Sequence, residues 1–226
     1  SNEKQAPTPG FREAKAKAKA KRPPAWLVQS YILRPFLLDG RKFDIRALAV
    51  VTHDFKVYFY KTWIMRTCSE PYSPDDLDNN VKHISNHCVQ TQSDQYGKFE
   101  DGNELFTEDM LRYLEQHYPG AGAELLEGIV QQMKDTVWHT VHSVKDSAGG
   151  TDFDSFQVFG YDFMIDESMK VWLLEVNGSP ACAERMLEAD FGRHLVEIAI
   201  DPLYPTGAEC ALDPVSPDNQ FEEIKP

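Results

Sequence analysis

Two stretches place acids where acids are costly. FQVFGYDFMI (156–165) and KVWLLEVN (170–177) are apolar runs of strand length, joined by Asp166-Glu167-Ser168-Met169, and together they read as a hairpin. A two-residue turn at Glu167-Ser168 puts Gly160 directly across from Glu175 and makes Asp162 the diagonal neighbour of Glu175. Side chains alternate along a strand, so Asp162, Glu175 and Asn177 fall on one face. A diagonal Cβ separation of roughly 7 Å or less suits carboxylates that share one or two metal ions. Three oxygen donors without Cys or His suit Mg²⁺, which keeps water and phosphate oxygens in its shell. Gly160 would leave open space where a larger side chain obstructs a ligand. The alternative is that these acids decorate a solvent-facing side of the sheet. Against it, Tyr161 and Phe163 bracket Asp162, and Leu174 and Val176 bracket Glu175, surroundings in which unpaired charge is expensive.

A second set lies in KFDIR, where a period of two puts Lys42, Asp44 and Arg46 on one face and Phe43 and Ile45 on the other. Two cations flanking an acid can hold polyphosphate through Lys42 as a point charge and orient a carboxylate through the fork of Arg46. A wet sheet face with an internal ion pair fits this segment as well. Arg66 follows the return strand at the mouth of a long irregular loop, where a mobile cation could meet a transferring phosphate.

Several elements must position these residues. AWLVQSYILRPFLL reads as a buried strand running into a connector at Pro35. Asp39-Gly40 and His53-Asp54 read as turns that bracket the strand RKFDIRALAVVT, with KVYFYKTW as its return. Residues 66–103 show no clear period and are long for a loop, so they are functional or hide short elements. NELFTEDMLRYLEQHY is compatible with a helix. In AELLEGIVQQMKDTVWHTVHSV, Leu126, Ile129, Met133, Val137 and Val141 form the stripe of a core-facing helix. His139 and His142, three apart there, have no third ligand in view and read as rim residues. A further helical pattern follows Pro180, and the chain from Pro202 reads as a tail.

Composition excludes several classes. No run approaches the roughly 20 apolar residues of a membrane span, and the start lacks the apolar middle of a secretory signal. Cys68, Cys88, Cys182 and Cys210 form no CxxC pair, which points to a reducing cytoplasm. Net charge is −13, but residues 1–24 hold seven Lys/Arg against two Asp/Glu and read as a basic, solvated arm. The acidic remainder excludes nucleic-acid binding through a general field.

QSYILRPFLLDGRKFDIRALAVV, IMRTCSEPYS, KHISNHCVQ, YGKFEDGNE, FQVFGYDFMID and KVWLLEVNGSPAC, in this order and spacing, closely resemble the tubulin–tyrosine ligase and ligase-like family over about residues 26–205. Within it, SNHCVQ and EVNGSPAC look more like the tyrosine-adding branch than like the glutamylases and glycylases. The resemblance implies an α+β, ATP-grasp-like fold: a mainly antiparallel sheet with flanking helices, here looking like the C-terminal portion. Residues 25–205 would be the ligase domain, its first lobe not recognisable upstream of Ala25, and 206–226 an extended tail. The implied reaction uses ATP and Mg²⁺ to phosphorylate a carboxylate, which an amine then attacks to give an amide. The expected partners are the α-tubulin C-terminal tail and free L-tyrosine, with the protein a cytoplasmic, microtubule-associated monomer or tubulin-bound. By motif, Gln29, Ser30, Tyr31 and Ile32 look like the hinge strand that meets adenine. Lys42 and Asp44, with Ser85 and Asn86, look like further nucleotide contacts; Ser85 stands where Thr is usual but keeps the hydroxyl. Asp162, Glu175 and Asn177 look like the Mg²⁺ ligands, and Arg46, Arg66 and Glu175 are the expected catalytic residues. The alternatives are a tubulin glutamylase or glycylase, or a non-catalytic ligase-like module that binds tubulin or nucleotide.

Overall fold

The computed structural model describes residues 26–148, 154–204 and 215–225. The chain divides into two units, Ser1–Ile32 and Leu33–Pro226. In the first, residues 26–32 form neither helix nor strand, and Trp26, Leu27 and Val28 are 90%, 82% and 93% exposed. The expected hinge strand through Gln29–Ile32 is therefore absent: among the described residues no ladder pairs these positions. The expected basic arm, residues 1–24, lies outside the described residues.

The second unit is an antiparallel sheet with helices on both faces. Its centre is β1 (Arg41–Thr52), entered through a tight turn in which Asp39 and Gly40 both take positive φ and Leu38 and Arg41 exchange backbone hydrogen bonds of 3.0 and 2.9 Å. This is the two-residue turn whose twist matches a hairpin. One edge of β1 is shared end to end: β3 (Ile64–Pro71) pairs with its first half and β2 (Val57–Tyr60) with its second. The other edge pairs with β5 (Phe156–Ile165), which carries β6 (Val171–Asn177) outside it. β4 (Glu104–Phe106) lengthens the sheet beyond β3. β7 (Phe221–Ile224) does so beyond β2. The tail expected beyond residue 206 thus returns to the sheet, since Phe221 and Ile224 are buried and make a strand worth pairing; residues 206–214 lie outside the described part.

One face carries Phe43, Ile45, Ala47 and Ala49 of β1, with Tyr161, Phe163 and Ile165 of β5. It is closed by α3 (Thr107–His117) and α4 (Gly122–Ala148), the latter presenting Ile129, Met133, Val137 and Val141 as the spacing predicts. His142 turns its Nδ1 to the Trp138 carbonyl at 2.9 Å and stacks on that indole, a rim arrangement. On the opposite face the phase of Lys42, Asp44 and Arg46 continues as Leu48 and Val50. Those two are covered by α5 (Glu184–Glu188) and α6 (Phe191–Ala199) through Met186, Phe191 and Ile198. Burying each such side chain contributes about 1.5–3 kcal/mol. The strand thus switches along its length, apolar where helices cover it and charged where they stop.

The irregular stretch after β3 contains α1 (Asn80–His83), α2 (His87–Gln90) and a single 3₁₀ turn at Asp101–Asn103. The described residues contain no helix long and apolar enough to cross a membrane.

Candidate functional site

The register places the charged residues in two rows across adjacent strands. Glu104, Arg66 and Asp44 stand opposite one another on β4, β3 and β1. In the next row Arg46, Asp162 and Glu175 do so on β1, β5 and β6. Directly opposed side chains share a face with Cβ atoms about 5 Å apart, so two rows of alternating sign face the open part of the sheet.

The hairpin β5–β6 differs from the expected register. Its loop has three residues between Asp166 and Lys170, with Met169 at positive φ, where Asp166 N donates to Lys170 O and Met169 N to Asp166 O, each at 3.0 Å. A bulge follows, since one step from Asp162 to Phe163 matches two from Glu175 to Leu173, leaving Leu174 as the extra residue. These two one-residue offsets add to two and preserve parity. Asp162, Glu175 and Asn177 therefore share a face as expected, but Asp162 stands directly across from Glu175 rather than diagonally, and Gly160 faces Asn177. Nor does Gly160 leave open space. A Cβ there would lie 2.6 Å from Pro180 Cβ and 3.1 Å from Arg46 Cδ, so the glycine lets the Gly178-Ser179-Pro180 segment close over the Arg46 stem.

Burial separates the two acids. Asp162 is 3% exposed, whereas Glu175 and its neighbours Leu174 and Val176 face solvent, because among the described residues β6 pairs only with β5. The desolvation argument made for both from their flanking residues holds for Asp162 alone. Burial pushes the Asp162 carboxyl up, but hydrogen bonds from Arg46 and the charges of Arg66 and Arg46 outweigh it and hold the group below the usual carboxylate range. Arg46 donates to it in bidentate fashion through Nε and Nη2, and Arg66 Nη2 donates at 2.9 Å.

Arg66 sits within β3 and not at the mouth of a loop, since the strand runs on to Pro71. It also grips Asp44 with Nε, at 2.9 Å, and Nη2. Burial lowers its proton affinity, but the bond and charge of Asp44 and the charge of Asp162 more than reverse this, so it stays cationic. Lys42 is buried, and burial is the main cause of its lowered pKa; it donates to the His83 carbonyl at 2.8 Å. Asn86 caps α2 through its side chain, which accepts from Cys88 N at 3.0 Å.

Lys42, Asp44, Arg66, Ser85, Asn86, Asp162 and Glu175 line one cleft of about 330 Å³. Arg46 and Asn177 adjoin it on the same face, outside its lining, and Asn177 Nδ2 donates to Glu175 Oε1 at 3.1 Å. A larger cavity of about 740 Å³ lies on the opposite face between α4 and β1, lined by apolar groups such as Val51, Phe55 and Val144; it holds none of these residues. Among the described residues no three His, Cys, Asp or Glu side chains gather as a metal cluster. Two carboxylates lining the cleft and the adjoining Asn177 amide stand on one face, hard oxygens of the kind a hard divalent cation takes together with water and phosphate, although both Asp162 oxygens also accept from Arg46 and Arg66.

Buried groups that sequence reasoning missed hold the cleft wall. Arg41 forms a bidentate pair with Glu100 at 2.7 and 2.9 Å. Gln90, fully buried, accepts from Ser69 N at 2.6 Å and donates to the Val81 and Ile84 carbonyls at 3.0 and 2.6 Å. Asn103 ties Thr67 and Ser69 to Gly97. The sequence signal was only a polar-rich, aperiodic stretch.

An α+β antiparallel sheet with helices on both faces and a row of acids and bases at its uncovered end defines an ATP-grasp-like fold. The model described as "Tubulin-tyrosine ligase family" matches residues 11–208, and the chain belongs to that family. It is 32% identical over 185 residues to the probable alpha-tubulin polyglutamylase Ttll1 of Tetrahymena thermophila, covering 78% of this chain and 44% of that protein. It is 31% identical over 199 residues to human tubulin monoglycylase TTLL3, covering 81% of this chain and 25% of that one. Tubulin glycylase 3B of Tetrahymena thermophila is 32% identical over 160 residues, 69% of this chain and 13% of that protein. The chain spans less than half the length of these relatives.

Proposed function

We propose that this chain carries the nucleotide- and cation-binding part of an ATP-dependent ligase that forms an amide bond on tubulin, adding glutamate or glycine. The observation that supports it most is the gathering of Lys42, Asp44, Arg66, Asp162 and Glu175 around one cleft, together with the names of the relatives. Tyrosine addition is the second reading, favoured by SNHCVQ and EVNGSPAC, the segments that look like the tyrosine-adding branch. Tubulin would place the protein in the cytoplasm, with microtubules.

In this reading an acceptor carboxylate takes the terminal phosphoryl group of ATP, and the amine of the incoming amino acid displaces phosphate. Lys42 lies against the polyphosphate as a point charge. Ser85 and Asn86 contact the nucleotide from the wall. Asp162, Glu175 and Asn177 would hold Mg²⁺, which when bound neutralises charge on phosphoryl oxygens. Arg66 spends Nε and Nη2 on Asp44 and Asp162, while its Nη1 has no partner among the described residues and in this reading donates to the reacting carboxylate. Arg46, pinned by Asp162, supplies the second guanidinium. Groups fixed in this way before substrate arrives stabilise developing charge without reorganising.

Incubating the full-length protein with tubulin, MgATP and labelled glutamate, glycine or tyrosine tests the reading. Incorporation of glutamate or glycine is expected. Tyrosine alone would select the second reading, and no incorporation would leave a binding module.

A further inference from the structure

Beside the cleft lies a small hollow that shares Arg66 and Ser85 with it and is completed by His87, Tyr96 and Glu104. Its free volume of about 10 Å³ suits one water-sized group. Glu104 stands directly across from Arg66 on the β3–β4 ladder and so faces the same side. Its carboxylate nevertheless makes no hydrogen bond or ion pair among the described residues, because Arg66 gives its bonds to Asp44 and Asp162. Burial pushes the Glu104 carboxyl up, His87 and Arg66 partly offset this, and Asp101 adds to it. Tyr96 donates its hydroxyl hydrogen to the Gly102 carbonyl at 3.2 Å, so its oxygen receives Nδ1–H of His87 at 2.9 Å. Here a half-buried carboxylate without a donor stands one strand away from a guanidinium with a nitrogen to spare. A primary ammonium group has the size and charge that such a carboxylate lacks.

We propose that Glu104 receives the ammonium group of the incoming amino acid, beside the acceptor carboxylate held at Arg66. This rests on the ligase reading above. In the step, the ammonium gives one proton to Glu104, the freed amine forms the new C–N bond to the activated carboxyl, and the C–O bond to phosphate breaks as phosphate leaves with the electron pair. The amine's remaining extra proton passes to solvent.

The test uses full-length protein, tubulin and MgATP, with two nucleophiles compared in Glu104→Gln and Glu104→Asp. Hydroxylamine is a neutral amine that traps the activated carboxyl as hydroxamate without needing an ammonium site. Glu104→Gln should lower kcat/KM for the amino acid about 10- to 100-fold, the usual scale for a lost charged hydrogen bond. Hydroxamate formation should stay within about two-fold, and Glu104→Asp should be intermediate for the amino acid. Unchanged amino-acid kinetics in Glu104→Gln, or equal loss with both nucleophiles in both variants, would overturn the assignment. If the unmodified protein yields neither product, the ligase reading fails and this assignment falls with it.

Discussion

Asp162 is the residue on which the site turns, because it is buried, charged and shared by two guanidinium groups. Removing its charge strands Arg46 and Arg66, and breaking a buried pair in this way costs about 3–5 kcal/mol. Asp162→Asn should therefore lower unfolding free energy by about 3 kcal/mol, read by urea denaturation at pH 7. The sign with pH follows from the direction of the shift. A carboxyl held below its unfolded value, near about 4, contributes stability above that pH and loses it as pH falls through the folded value. The difference between wild type and Asp162→Asn should be full above about pH 5 and shrink below about pH 4. A gap constant across that range would show that Asp162 is not ionised by its arginines. Glu175 is different: exposed and bonded, among the described residues, only to Asn177, it has little structural work, and its replacement should spare the fold.

At the scale of elements, the wall of the cleft depends on hydrogen bonds made by the irregular segment between β3 and β4. Gln90 joins three backbone groups from Ser69, Val81 and Ile84 inside a fully buried site. Gln90→Ala should cost about 2–4 kcal/mol, since buried polar groups left unpaired each cost about 1–3 kcal/mol. It should also make residues 72–103 more susceptible to limited proteolysis than the rest of the chain; uniform susceptibility would count against this anchoring role. This segment was the least legible in the sequence, because its order comes from side-chain bonds between distant residues and not from a period. The strands and α4 were legible, since alternation in KFDIR and the three-four spacing from Leu126 to Val141 report one-sided burial directly. The shared face of Asp162, Glu175 and Asn177 was read correctly from parity. Their register was not, because a three-residue loop closing on Met169 and a bulge at Leu174 carry no composition signal. Apolar flanks were a poor guide to burial on β6, an edge strand, and to strand formation at 26–32.

For the molecule as a whole, the sheet is one continuous device. α5 and α6 cover the far half of one face with Met186, Phe191 and Ile198, and where they stop the charged rows begin. An acidic chain of net charge −13 thereby gathers Lys42, Arg46 and Arg66 at one place beside Asp44, Asp162 and Glu175, so the attraction for phosphate that the ligase reading requires is local and not a property of the overall field. Under the proposed ligase reading nucleotide and cation bind together, since the acids proposed to hold the cation and the lysine proposed to meet the phosphates line one cleft. Calorimetric titration of ATP into the full-length protein, with and without Mg²⁺, tests this most directly when repeated on Glu175→Gln and Lys42→Ala. Binding strengthened by Mg²⁺ in the wild type, with that strengthening lost about 10-fold or more in Glu175→Gln and affinity lowered under both conditions in Lys42→Ala, is the predicted result. ATP affinity unaffected by either substitution would contradict the account.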